Sequence, residues 1–151
     1  PGARGHYPAR VRMERKLKES TLVKWVKDHL PPTIHSQSMT FGSLSMNGTP
    51  DRYFDGPRGD LWIEFKQISA MPRDGLVGGV DDKKRGCYSS LQYRWMARRW
   101  SRGRNVLGVI GLPDKRVVIQ DSPTQWSNKS PISDAVPRPA LIKIITDFCG
   151  R

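Results

Sequence analysis

Leu61-Trp62-Ile63-Glu64-Phe65-Lys66-Gln67-Ile68 alternates: Leu61, Ile63 and Phe65 fall on one face of an extended strand, Trp62, Glu64, Lys66 and Ile68 on the other. The first face asks for a core. The second sets a carboxylate beside an ammonium. Just upstream, residues 51–54 read as another short strand, and 55–60, Asp-Gly-Pro-Arg-Gly-Asp, as the loop between them. Closing that loop sets Phe54 against Leu61, and in the same register Asp51 lies across from Glu64, with Cβ atoms about 4.5–5.5 Å apart. Two bare carboxylates at that separation repel, and a divalent cation between them removes the conflict with oxygen ligands it prefers. A slip of one residue would turn Asp51 to the other face, so the register decides the reading.

Around this hairpin the chain alternates in type. Leu22, Val23, Val26 and Leu30 recur at helical spacing over residues 19–30, and Pro31-Pro32 stops that helix. Residues 33–41 read as a strand, and Asn47-Gly48 as a turn. Residues 69–86 show little periodicity, as expected of a long functional or disordered loop. Ser89 or Ser90 caps a helix running to about residue 101 and ended by Gly103. Two strands follow at 106–110 and 116–120, then a loop over 123–137. A last helix spans 139–148 with Leu141, Ile144, Ile145 and Phe148 on one stripe. The order is helix, three strands, helix, two strands, helix. That is a mixed α/β plate.

Composition narrows the partners. The 151 residues hold 26 Lys and Arg against 14 Asp and Glu, a net charge of +12, which attracts polyanions, nucleic acid first among them. Residues 83–104 carry Lys83, Lys84, Arg85, Arg94, Arg98, Arg99, Arg102 and Arg104 with no acid, and Tyr88, Tyr93, Trp95 and Trp100 lie among them. Cations of this density neutralise phosphates, and aromatics can stack on unpaired bases. The plainer reading of the aromatics is a helix's core face. No apolar run reaches the roughly 18–20 residues of a membrane span. Cys87 and Cys149 have no metal-ligand spacing, and neither do His6, His29 and His35. Residues 1–12 are basic, polar and rich in Gly and Pro, and are expected to be a flexible, non-native leader rather than a signal peptide; 13–151 are expected to form one domain with its core over about 19–121.

Taken alone, Pro-Asp followed by Glu-x-Lys reads as readily as an exposed strand pair beside a turn cap. Its surroundings are more specific. Glu19 opens the first helix, Gly48-Thr49-Pro50-Asp51 precedes the hairpin, Glu64-Phe65-Lys66 lies on it, and Gln92 follows Ser89-Ser90-Leu91 at the start of the second helix. These four features, in this order over residues 19 to about 110, resemble the VRR-NUC branch of the PD-(D/E)xK nuclease superfamily. The last helix lies beyond the resemblance, and the segment between Lys66 and Gln92 is longer than a minimal member needs.

The resemblance implies an αβββαβ core, its mixed sheet flanked by helices, with a C-terminal helix added. It also implies a catalytic set of Glu19, Asp51, Glu64, Lys66 and Gln92. Asp51 and Glu64 would ligate Mg²⁺ or Mn²⁺, with the Phe65 carbonyl as a further ligand and Glu19 reaching the metal directly or through water; Glu14 is a second-ranked rival to Glu19. Lys66 would act on the attacking water or the transition-state charge, and Gln92 would orient Lys66 or a phosphate. The activity implied is a metal-dependent DNA endonuclease, structure-selective for branched DNA, extending to Holliday junction resolution by a homodimer, in the cytoplasm of a bacterial or phage-infected cell. Two other readings stand beside it. One is a non-catalytic nucleic-acid-binding protein using the cations of 83–104; the other is a sequence-specific, restriction-type nuclease.

Overall fold

A computed structural model describes residues 20–39 and 48–150. Ser20 accepts from the Val23 N–H at 3.2 Å and so caps helix α1, Thr21–His29, which buries Leu22, Val23 and Val26. Strand β1, His35–Ser38, is shorter than the predicted 33–41; residues 40–47 lie outside the described residues. Next come β2, Arg52–Gly56, and β3, Gly59–Gln67. The predicted six-residue loop is in fact a two-residue turn, because the strands extend symmetrically into it. The register is therefore the expected one: Phe54 faces Leu61 and Arg52 faces Ile63.

The segment after β3 is ordered around β4, Leu76–Gly78, and leads into helix α2, Ser90–Ser101. Gly103, at φ 75°, ends α2 in the left-handed conformation that glycine accepts without strain. Strands β5, Val106–Gly111, and β6, Val117–Gln120, follow as predicted. The predicted 123–137 loop is not one. It holds helix α3, Pro123–Ser127, strand β7, Lys129–Pro131, and a 3₁₀ turn, Ile132–Asp134. Ser122 caps α3 with Pro123 in its first turn, and β7 is a strand because it pairs with β4. Helix α4, Arg138–Cys149, closes the described chain.

The main sheet runs β1-β2-β3-β5-β6. Only β3 and β5 are parallel, and the crossover between them carries β4 and α2. The fold is thus the mixed α/β plate expected. On one face α1 and α4 bury Leu22, Val26, Leu141, Ile145 and Cys149 against Phe54, Leu61, Ile63, Phe65 and Val109. Each fully buried Leu or Ile there contributes about 1.5–3 kcal/mol. On the other face Tyr88, Met96, Val106 and Trp126 make a second cluster, and Val77, Ile110, Leu112 and Val118 a third. Glu64 lies on this second face.

Candidate active site

Glu64 is 1% exposed, so it is not the surface residue of the plainer reading. The burial has an identifiable source. In the parallel register Glu64 pairs with Gly108 of β5, and Gly108 pairs with Gln120 of β6. A Cβ on Gly108 would collide with the Tyr88 hydroxyl, so the missing side chain lets the Tyr88 ring lie across this row. Tyr88 is fully buried and donates to Gln120 Oε1 at 2.7 Å; Gln120 Nε2 in turn donates to Ser130 Oγ at 2.7 Å and to the Gln125 carbonyl at 2.9 Å. Tyr88, Gly108 and Gln120 were not among the sequence-predicted site residues. A glycine inside an apolar strand was the available signal.

Asp51 is placed by the end of the β2–β3 ladder. The Trp62 N–H bonds to the Asn105 carbonyl and the Ile68 N–H to the Gly111 carbonyl, so even-numbered residues of β3 point their backbone groups toward β5. The odd ones point toward β2. Continuing the register sets Pro50 opposite Phe65, and proline has no N–H to offer the Phe65 carbonyl. The Phe65 N–H goes instead to Asp51 Oδ2 at 3.1 Å. Asp51 is thereby held beside Glu64, as the register argument requires. Gly48, at φ 90°, seats the run before Asp51 directly on the Leu91 backbone, where a side chain would collide.

The first turn of α2 closes the site. Ser89 caps it in a capping box with Gln92, whose Oε1 accepts from the Ser89 N–H at 2.9 Å. Gln92 Nε2 donates to Glu64 Oε1 at 2.6 Å. The glutamine expected to orient Lys66 or a phosphate has its amide on Glu64 in this structure. The other Glu64 oxygen, Oε2, is buried with no hydrogen-bond partner.

The electrostatics match this geometry. Burial, and then the neighbouring Asp51 charge, push the Glu64 carboxyl well above its ordinary range, while Lys66 offsets part of the rise. Burial also raises Asp51, against the lowering effect of its contact with Glu64, its hydrogen bond from the Phe65 N–H, and the Lys66 and Arg52 charges. Two carboxyls raised together in this way favour the neutral form of at least one of them, or a cation between them.

A divalent cation fits here by the chemistry of the donors: two hard carboxylates, one with an orphaned buried oxygen, next to a carbonyl whose ladder partner is a proline. Among the described residues no group of three or more His, Cys, Asp and Glu side chains stands together. Glu19 and Glu14, the predicted contributors from the first helix, lie outside the described residues.

A cleft of about 360 Å³ opens beside this site, with Phe65, Lys66, Asp82, Lys84, Arg85, Ser89 and Gln92 among its walls; Asp51 and Glu64 lie behind those walls, not in them. Asp82 accepts from the Ser90 N–H at 2.7 Å and its hydroxyl at 2.8 Å, fixing the 81–85 turn to the start of α2. Of the eight predicted cations, Lys84 and Arg85 therefore join the cleft. Lys83, Arg94, Arg98, Arg102 and Arg104 are exposed on that turn, on α2 or just after it, and Arg99 lies over the Trp95 ring at 4.7 Å. Among the described residues, no helix is long and apolar enough to cross a membrane.

No protein-family model and no curated protein matches the sequence. Among solved structures, the chain is similar to the Holliday junction resolvase Hjc of the archaeal hyperthermophile Archaeoglobus fulgidus. The two share 15% identity and a TM-score of 0.48, over 87% of this chain and 98% of that one.

Proposed function

We propose that this chain is a metal-dependent endonuclease that hydrolyses DNA phosphodiesters, a member of the VRR-NUC branch that its motifs resemble. The observation that carries the reading is the buried, unpartnered Glu64 Oε2 beside Asp51, with Lys66 next along the same strand face. A buried carboxylate conflict of this kind costs stability unless a ligand relieves it. Mg²⁺ or Mn²⁺ bound there supplies Lewis acidity toward the phosphate and lowers the pKa of a bound water. Asp51, Glu64 and the Phe65 carbonyl would hold it, with Glu19 as a further ligand. Lys66 holds the attacking water or stabilises negative charge as it develops on phosphorus. Gln92 keeps the Glu64 carboxylate turned toward Asp51, and Lys84 and Arg85 grip phosphates of the same strand.

The substrate reading extends to branched DNA. The net charge of +12 supplies affinity without sequence preference. A Holliday junction needs two opposed cuts and each chain offers one site, so a resolvase would act as a homodimer. The test uses labelled duplex, flap, splayed-arm and four-way junction DNA with Mg²⁺, Mn²⁺ or EDTA, alongside Asp51→Ala and Lys66→Ala. Metal-dependent cutting by the wild type, lost in both variants while Asp51→Ala still binds, is the expected result. Binding without cutting in either metal would replace it with the non-catalytic nucleic-acid-binding reading.

A further inference from the structure

The cleft at Lys66 is not isolated. A second cavity of about 620 Å³ adjoins it, and the two share Gln67, Lys84, Arg85, Gly86 and Cys87 in their walls. Side by side, they make a trough along the chain leaving β3, with these five residues common to both parts. Lys66 lines the smaller part, Gln67 both, and residues 68–74 the larger alone. Gly86 brings the 84–87 segment directly against the chain leaving β3. It sits at φ 84° against Ile68, where a Cβ would stand 2.6 Å from Ile68 Cγ2.

The larger cavity differs from the smaller in chemistry. Ile68, Met71, Leu76 and Val77 give it an apolar wall, and Met71 and Leu76 are 41% and 38% exposed there. Arg73, Lys84, Arg85 and Lys129 stand around it; Asp74, an acid of the same wall, is paired with Lys129 at 3.7 Å. An apolar slot within a cationic rim complements a molecule with a flat apolar body and an anionic link. A thioether such as Met71 suits the face or edge of an aromatic ring. The volume lies in the roughly 300–1,000 Å³ range of small-ligand sites.

We propose that this cavity takes the base of one unpaired nucleotide flanking the scissile phosphate of a DNA strand, an inference that rests on the nuclease reading above. A strand whose phosphate lies at Lys66 has its neighbouring nucleotide where residues 68–74 turn away. Lys84 and Arg85, common to both parts of the trough, hold the phosphate between them. A paired base cannot enter, because its partner and its stacked neighbours would have to follow. The site therefore selects DNA that is already frayed or branched next to the cut.

The test replaces, one at a time, each of the three nucleotides on either side of the cut with an abasic tetrahydrofuran, and measures single-turnover cleavage. For the wild type, one position should slow cleavage about tenfold, the worth of a lost base-stacking contact. The doubly substituted Met71→Gln/Leu76→Gln protein, which keeps the charge and roughly the size of the wall, should cut intact DNA about tenfold more slowly. It should cut the abasic DNA as fast as the wild type does, which also shows that it is folded and active. Abasic substrates all cut within about twofold of intact DNA, or a variant equally impaired on both, would overturn the base site while leaving the nuclease standing. A wild type that cuts no DNA in either metal would remove the nuclease reading, and this site with it.

Discussion

Gln92 donates its side-chain amide to Glu64 Oε1 at 2.6 Å, joining the first turn of α2 to the middle of β3. The same side chain completes the helix cap through Ser89, so its two roles can be separated by mutation. Ser89→Ala should cost about 1 kcal/mol of stability and leave cleavage nearly unchanged. Gln92→Ala should cost a similar amount and also slow cleavage about 10–100-fold, because Glu64 loses the group that orients it. Denaturant melts and cleavage rates on the two variants distinguish them.

The raised carboxyls of Asp51 and Glu64 make the metal-free protein sensitive to pH. A carboxyl whose folded pKa is raised contributes stability below its unfolded value, near 4, and that contribution is lost as pH rises through the folded pKa. Metal-free protein should therefore weaken from mildly acidic to neutral pH. Glu64→Gln should flatten that dependence and raise the neutral-pH melting temperature by about 2–4 °C, the effect of roughly 1 kcal/mol in a chain of this size. Melts across pH in EDTA check the sign. The same variant should lose cleavage about 10²–10³-fold.

Gly108 is expected to be intolerant of even one methyl group. Gly108→Ala drives Cβ into the Tyr88 hydroxyl and should destabilise the fold by about 1–3 kcal/mol, measured by urea unfolding. Tyr88→Phe in the same background removes the nearest clashing atom but leaves ring carbon Cζ 2.7 Å from the new Cβ and orphans Gln120 Oε1, so it should restore only part of the loss.

Lys84 and Arg85 stand in the cleft, whereas Arg102 and Arg104 lie past the end of α2. Neutralising Lys84 and Arg85 should weaken DNA binding and reduce the slope of log affinity against log salt by about 0.7–0.9 per charge removed. Under the proposed function, in which these cations grip the phosphates beside the cut, cleavage should fall further than binding. Filter binding across a salt series, set beside single-turnover rates, reads both.

The hairpin register was legible because a period of two and one closed loop leave a single parity that puts Leu61, Ile63 and Phe65 inward. The helices at α1, α2 and α4 were legible from apolar spacing and caps. What escaped depends on distant pairing. Residues 129–131 form a strand because β4 lies beside them, and nothing local marks them as one. The burial of Glu64 depends on Tyr88, twenty-four positions later, crossing a glycine on a third strand. Gln92 was marked by the family resemblance, as the glutamine opening the second helix, but its partner, Glu64 rather than Lys66 or a phosphate, depends on how α2 packs over β3.

If Asp51 and Glu64 together hold a divalent cation, Mn²⁺ binding followed by electron paramagnetic resonance will register it. Saturable Mn²⁺ binding by the wild type is expected, displaced by Mg²⁺, tighter as pH rises because the raised carboxyls must lose their protons, and lost in both Asp51→Ala and Glu64→Gln. Mn²⁺ binding that is absent from the wild type, or unchanged in the two variants, would contradict it.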